Sequence, residues 1–290
     1  MSVILENSTC QVKINEKGAE LCSFILKEAN LEYIWQADNK YWGRYAPVLF
    51  PFVGKLKENK YTYKGQTYQM SQHGFARDMN FKIEETTMNS ASFLLSSDAD
   101  TLINYPFDFD FRIIYQLEAN DLKITYQVTT RSEEMYFGVG GHPAFNIPLT
   151  DNTDFNDYYL HFAPSKSRFT LPLDGAYINL AEKTLAQTNT SIQIERSIFE
   201  KDALVLETKG ENAFSILSDV TEHGVTISYK ELPYVGIWSP YPKEAPFVCI
   251  EPWAGIADTI ESTGKIEEKV GMNLIHKDDL FEKSFIISVK

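Results

Sequence analysis

Four short stretches of this chain set imidazole, guanidinium or carboxylate groups among Gly, Pro and large aromatics. They are Trp42 to Lys55 (WGRYAPVLFPFVGK), Gln72 to Arg77 (QHGFAR), Gly138 to Pro148 (GVGGHPAFNIP) and Ile250 to Asp258 (IEPWAGIAD). Gly and Pro constrain the backbone to tight paths and so bring neighbouring side chains to fixed places. His142 follows Gly140-Gly141 and precedes Pro143. Glu251 follows the apolar run Val248-Cys249-Ile250 and precedes Pro252-Trp253; a carboxylate at the end of a buried strand needs a partner or a task. An imidazole together with a carboxylate is a general acid/base kit. Aromatic faces beside a few polar groups are what a sugar site needs, flat surfaces for C–H faces and donors and acceptors for hydroxyls. Plainer readings stand beside these. His73 could be a turn histidine bonding local backbone, and Arg77 could pair with a surface carboxylate. His161, His223 and His276 sit in ordinary strand or loop contexts and read as structural or surface residues.

Other chemistries lack their patterns. No Gly-rich phosphate loop precedes a helix, and no dinucleotide fingerprint or GxSxG elbow is present. No HxxxH or CxxC pair suggests a metal, so no metal site and no cofactor are expected. Cys10, Cys22 and Cys249 are odd in number and without knuckle spacing, as for reduced core residues. The 27 Lys+Arg against 40 Asp+Glu give a net charge of −13, which disfavours a broad nucleic-acid surface while leaving room for a local basic pocket. The start MSVILENSTC has neither a basic region nor a long apolar one, and no run approaches the ~18 apolar residues of a membrane span. The expectation is a cytoplasmic protein with a small-molecule partner, neither nucleic acid nor membrane.

The elements that must position these groups have period two. Phe109, Phe111, Ile113, Tyr115 and Leu117 alternate with more polar residues, and after Glu118 to Asp121 the alternation resumes at Leu122, Ile124, Tyr126 and Val128. That predicts a hairpin of two half-buried strands. Lys64-Gly65 predicts a two-residue turn between 61–63 and 66–68, and 81–86 with 91–96 predicts another hairpin. Strands are also expected over 158–162, 203–207, 214–217, 225–229, 247–250 and 285–289. Helix is expected only at 98–105, with Asp98 as cap and Pro106 as stop, and in one turn at 197–201. Many short strands and almost no helix argue for an all-β sandwich or barrel. No linker, repeat or charge block interrupts the chain, which reads as one domain over 1–290.

The order and spacing of His73 in QHGFAR, His142 in GGHPAFNIP and Glu251 in CIEPWAG resemble the aldose 1-epimerase, or galactose-mutarotase-like, superfamily. The hairpin YTYKGQTYQM before His73 fits the same pattern. The resemblance runs from about Thr9 to the C-terminus and is nearest to a divergent bacterial branch of LacX type. It implies a large antiparallel β-sandwich with a central cleft, and interconversion of the α and β anomers of a hexose or hexose phosphate without a cofactor. The residue matching Glu251 takes the proton of the anomeric hydroxyl, that matching His142 protonates the ring oxygen, and that matching His73 binds sugar oxygens. Lys55 stands where typical members keep an arginine, Arg44 and Arg77 resemble cations of a hexose-6-phosphate branch, and Asp202 falls about where the family keeps a sugar-binding aspartate. Two other readings remain. A non-catalytic sugar-binding or sensing protein would need the aromatics but not the acid/base pair. A glycoside-processing enzyme usually needs two carboxylates facing one bond, and only Glu251 is a strong candidate.

Overall fold

The alternation over 109–128 becomes the longest hairpin of the fold. The computed structural model, which describes Met1–Lys290, pairs Phe109–Glu118 with Asp121–Thr130 from Phe109↔Thr130 to Glu118↔Asp121. Phe109, Phe111, Ile113, Tyr115 and Leu117 are all buried and the residues between them are more exposed, because side chains alternate across a strand. Lys64 and Gly65 turn the hairpin Lys60–Tyr63/Gln66–Gln69 with φ of 48° and 79°. The third hairpin is Lys82–Thr86/Ser90–Ser96. Ala99–Asn104 is the α-helix, capped by the Asp98 carboxylate accepting the Thr101 N–H at 2.8 Å. At the second expected helix only a 3-10 turn, Arg196–Phe199, forms. No helix is long and apolar enough to cross a membrane.

Antiparallel pairs build two large sheets. The nine-stranded one runs from Ile192–Gln193 to Lys82–Thr86 with Leu280–Val289 at its middle. The eight-stranded one runs from Thr184–Ala186 to Val48–Leu49 and carries Tyr234–Trp238, Phe247–Ala254 and Val139–Gly141 side by side. Their inner faces meet. A Cβ on Gly141 would lie 3.0 Å from Phe285 of the other sheet, and the Phe50 ring stacks on Phe111 with centroids 4.5 Å apart. A continuous cluster of 64 buried hydrophobic residues fills the space between. Ser2–Glu6, Cys10–Asn15 and Leu21–Leu26, strands without a sequence expectation, form a smaller sheet with Leu31–Glu32.

Three strands run several residues beyond their expected bounds, Asn212–Ser218, Phe247–Ala254 and Leu280–Val289. Glu251 therefore lies inside a central strand, opposite Gly236, and not at a strand end. Pro252 is tolerated there because the neighbour is interrupted. Phe247–Ala254 pairs with Val139–Gly141 through Gly140↔Trp253 and with Ala144–Asn146 through Ala144↔Cys249, leaving His142-Pro143 in the gap. The Ile250 N–H turns toward that gap and reaches the Pro143 carbonyl at 3.3 Å. By alternation the Pro252 nitrogen faces the same side, where no ladder acceptor waits. The break that frees His142 and the proline after Glu251 are thus complementary.

Candidate active site

The interruption brings the imidazole of His142 against the carboxylate of Glu251, with Nε2 and Oε2 3.1 Å apart. The two residues are 7 % and 1 % exposed. The contact is close without being aligned as a hydrogen bond, so Glu251 Oε2 and His142 Nδ1 have no partner. Burial lowers the His142 pKa to about 3, and the charges of Arg77 and Arg44 push the same way. Burial, then Asp202, raise Glu251 well above the usual carboxylate range. The shifts run in opposite directions: the imidazole resists protonation and the carboxyl resists ionisation, so the carboxyl is the favoured holder of a proton shared by the pair.

Both residues line a cleft of about 580 Å³, a size suited to a small polar ligand. His73 enters beside them, its ring 5.6 Å from that of His142 and nearly perpendicular. The His73 backbone is left-handed at φ 68°. Its N–H donates to the Gly54 carbonyl at 2.9 Å, and its Nδ1 accepts the Gly54 N–H at 3.1 Å. That bond requires a neutral ring with the proton on Nε2, in keeping with a pKa lowered first by burial and then by the neighbouring cations and His142. Gly74 follows at φ 72°, and a Cβ there would fall 2.2 Å from the Phe50 carbonyl oxygen, so glycine is required for this approach.

Of the other expected binding residues, Arg77, Lys55 and Asp202 line the cleft. Arg77 Nη2 donates to the Gln72 carbonyl at 2.7 Å, while its buried Nε makes no hydrogen bond and stands 3.8 Å from the Asp78 carboxylate. Lys55 joins none of the ion pairs. Asp202 is an exposed rim residue whose carboxyl is still walled in enough for burial to raise its pKa, against the Ala203 N–H and the Trp238 indole. Arg44 does not reach the cleft: it lies in an adjoining depression and pairs with Asp78 at 3.1 Å.

The aromatic walls are the part that residue-by-residue reading left out of the site. Trp42 stacks on His142 at 4.9 Å and 28°, and Trp238 meets it edge-on at 5.6 Å. Trp42 lay in a stretch already singled out; Trp238 carried no signal, since Pro233 and Gly236 dilute its strand's pattern. Trp253 forms the third wall. A Cβ on Gly236 or Gly140 would come within 2.4 Å or 2.5 Å of its indole, so both flanking strands need glycine to admit it. A second hollow of about 640 Å³, on the outer side of the nine-stranded sheet, is lined by surface ion pairs such as Lys283–Glu231 and contains no His or Cys.

Cys249 lies behind the pair. Its sulfur, a His142 ring nitrogen and a Glu251 oxygen fall within 4.8 Å of one another. Burial raises its thiol well above the ordinary range. A cation held there would engage both members of the acid/base pair and stop them moving protons.

Comparison with known proteins agrees with this fold. A family model described as aldose 1-epimerase matches residues 1–269. The plasmid-encoded protein LacX of Lactococcus lactis is 30 % identical over all of this chain and 99 % of its own. A galactose mutarotase related enzyme from Lactobacillus acidophilus superposes with a TM-score of 0.98 at 41 % identity, covering 100 % of this chain and 97 % of the other. A galactose mutarotase-like protein from Lactobacillus casei gives 0.91 at 30 % identity, with 100 % of both chains covered.

Proposed function

The chain belongs to the aldose 1-epimerase family, and from that premise we propose that it interconverts the α and β anomers of a hexose or hexose phosphate by acid/base ring opening. The observation that carries this reading is the buried His142–Glu251 contact of 3.1 Å at the bottom of an aromatic-walled cleft. The resting proton on Glu251 first passes to His142 across that contact. The carboxylate then takes the proton of the C1 hydroxyl while the imidazolium protonates the ring oxygen. The C–O bond opens, the C1–C2 bond rotates, and closure on the other face returns both protons. The stacked Trp42 face favours the imidazolium. His73 Nε2–H donates to a sugar oxygen.

A protein that only binds sugar needs the three Trp walls but gains nothing from burying an acid and a base together. The test is anomer exchange by NMR on glucose, galactose and their 6-phosphates. Wild-type protein should exchange at least one of them above the buffer rate. Glu251→Gln and His142→Asn should each lose about 10²–10⁴-fold in turnover while still binding sugar by calorimetry. Wild type that binds sugar yet leaves exchange at background would make this a binding protein.

A further inference from the structure

One donor in the cleft has no task in that mechanism. The indole N–H of Trp253 is buried, Trp253 itself being 7 % exposed, and it has no acceptor. Trp253 follows Glu251 by two residues, so the two side chains share a face of strand Phe247–Ala254. Glu251 Oε2 is likewise without a donor. The indole is near enough to favour the ionised carboxylate without being aligned on it. A buried unpaired donor beside a buried unpaired acceptor is costly. Gly140 and Gly236 admit the ring in this one place, at 2.5 Å and 2.4 Å from where their Cβ atoms would stand. Smaller aromatics would fill such a slot with less crowding but would lack the N–H.

We propose that Trp253 is a positioning residue whose indole N–H hydrogen-bonds the Glu251 carboxylate once its proton has passed to His142, and so holds the ion that accepts the sugar's hydroxyl proton. This rests on the epimerase reading above. In the step, the Glu251 O–H bond breaks and a His142 Nε2–H bond forms. The indole proton stays on nitrogen throughout. The other groups facing Glu251 are His142 across the strand gap, Asp202 at the rim, Cys249 on its own strand, and the cations Lys55 and Arg77 farther along the cleft. Of the neutral groups among them Cys249 offers only a weak thiol donor, so the indole N–H is the strong neutral donor beside Glu251.

Trp253→Phe keeps an aromatic wall and removes the N–H. Turnover should fall roughly 10- to 100-fold, as for a lost hydrogen bond to a charged group. KM should change little, and the alkaline limb of the kcat profile, where the pair loses its one proton, should move up by about one to two pH units. A role confined to packing would raise KM or lower stability and leave the alkaline limb in place, and that result would overturn the proposal. A second readout needs no activity. In wild-type protein the Trp253 indole ¹H–¹⁵N resonance, assigned among the four Trp residues by Trp→Phe variants, should move downfield as Glu251 ionises. In Glu251→Gln that titration should vanish. An indole resonance that ignores pH, or that titrates equally in Glu251→Gln, also overturns the inference. Absent exchange activity in wild type would instead strike the functional reading, and the indole titration would still decide this contact.

Discussion

His73 and His142 have the same side chain and opposite surroundings. His73 accepts a backbone N–H on Nδ1 at 3.1 Å, which puts the ring proton on Nε2, at the cleft side and 3.3 Å from the side-chain amide of Gln72. His142 has no such bond; its Nε2 faces Glu251 and its ring is stacked on Trp42. The first arrangement suits binding and the second suits proton transfer. His73→Asn should therefore raise KM more than it lowers kcat, and the fold should persist because Asn tolerates the left-handed φ of 68° at this position. His142→Asn should do the reverse. Anomer exchange over a range of sugar concentrations separates the two, and swapped signatures would reverse the roles.

At the scale of elements, the segment after Trp42 is held on both sides. The Tyr45 and Pro47 carbonyls accept the N–H groups of Ala144 and His142, each at 3.1 Å. On the other side, Glu20 Oε1 accepts the N–H groups of Tyr45 at 2.9 Å and Ala46 at 3.1 Å. Glu20 thus braces the strand gap from behind. Its pKa is raised, chiefly by burial; the two backbone donors and Arg44 oppose the rise, and Asp78 adds to it. A folded pKa above the unfolded one means that the folded state binds the proton more tightly. Stability from this group is then complete below the unfolded pKa and is lost as pH rises through the folded one. Glu20→Gln cannot ionise. Relative to wild type, its unfolding free energy in urea should improve as pH rises through that range, and a difference that stays flat with pH would refute the burial argument.

For the whole molecule, a net charge of −13 repels an anionic sugar, so a phosphorylated substrate needs local cations. Arg44 lies outside the cleft and pairs with Asp78 at 3.1 Å, an acid that Arg77 also approaches at 3.8 Å; the cations that line the cleft are Lys55 and Arg77. If they hold a 6-phosphate, kcat/KM for glucose 6-phosphate should fall as salt is raised above about 0.1 M, where screening acts within ~10 Å, while that for glucose stays level. A rise with salt would mean that only the global repulsion is being screened. Equal, salt-independent values for the two sugars would remove the phosphate from the substrate class.

The sandwich was legible in the chain because burial of one sheet face writes itself as alternation, as in Phe109 to Leu117, and because turns write themselves in Gly and in capping residues such as Asp98. The chemistry-bearing residues were legible because Gly-Gly-His-Pro and Ile-Glu-Pro-Trp are costly sequences to place in regular strands. Strand ends were not, since Phe247–Ala254 is buried on both faces and a uniformly apolar stretch carries no period to mark where pairing stops. Nor could spacing assign the partners. Arg44 and Arg77 both approach Asp78, yet only Arg77 also lines the cleft, a difference set by tertiary packing. That Trp238 and Trp253 join Trp42 around one cleft follows from the loop at Trp42 meeting two strands much later in the chain. Local order sets which groups are present; the contacts that shift their protons exist only when the sheets close over them.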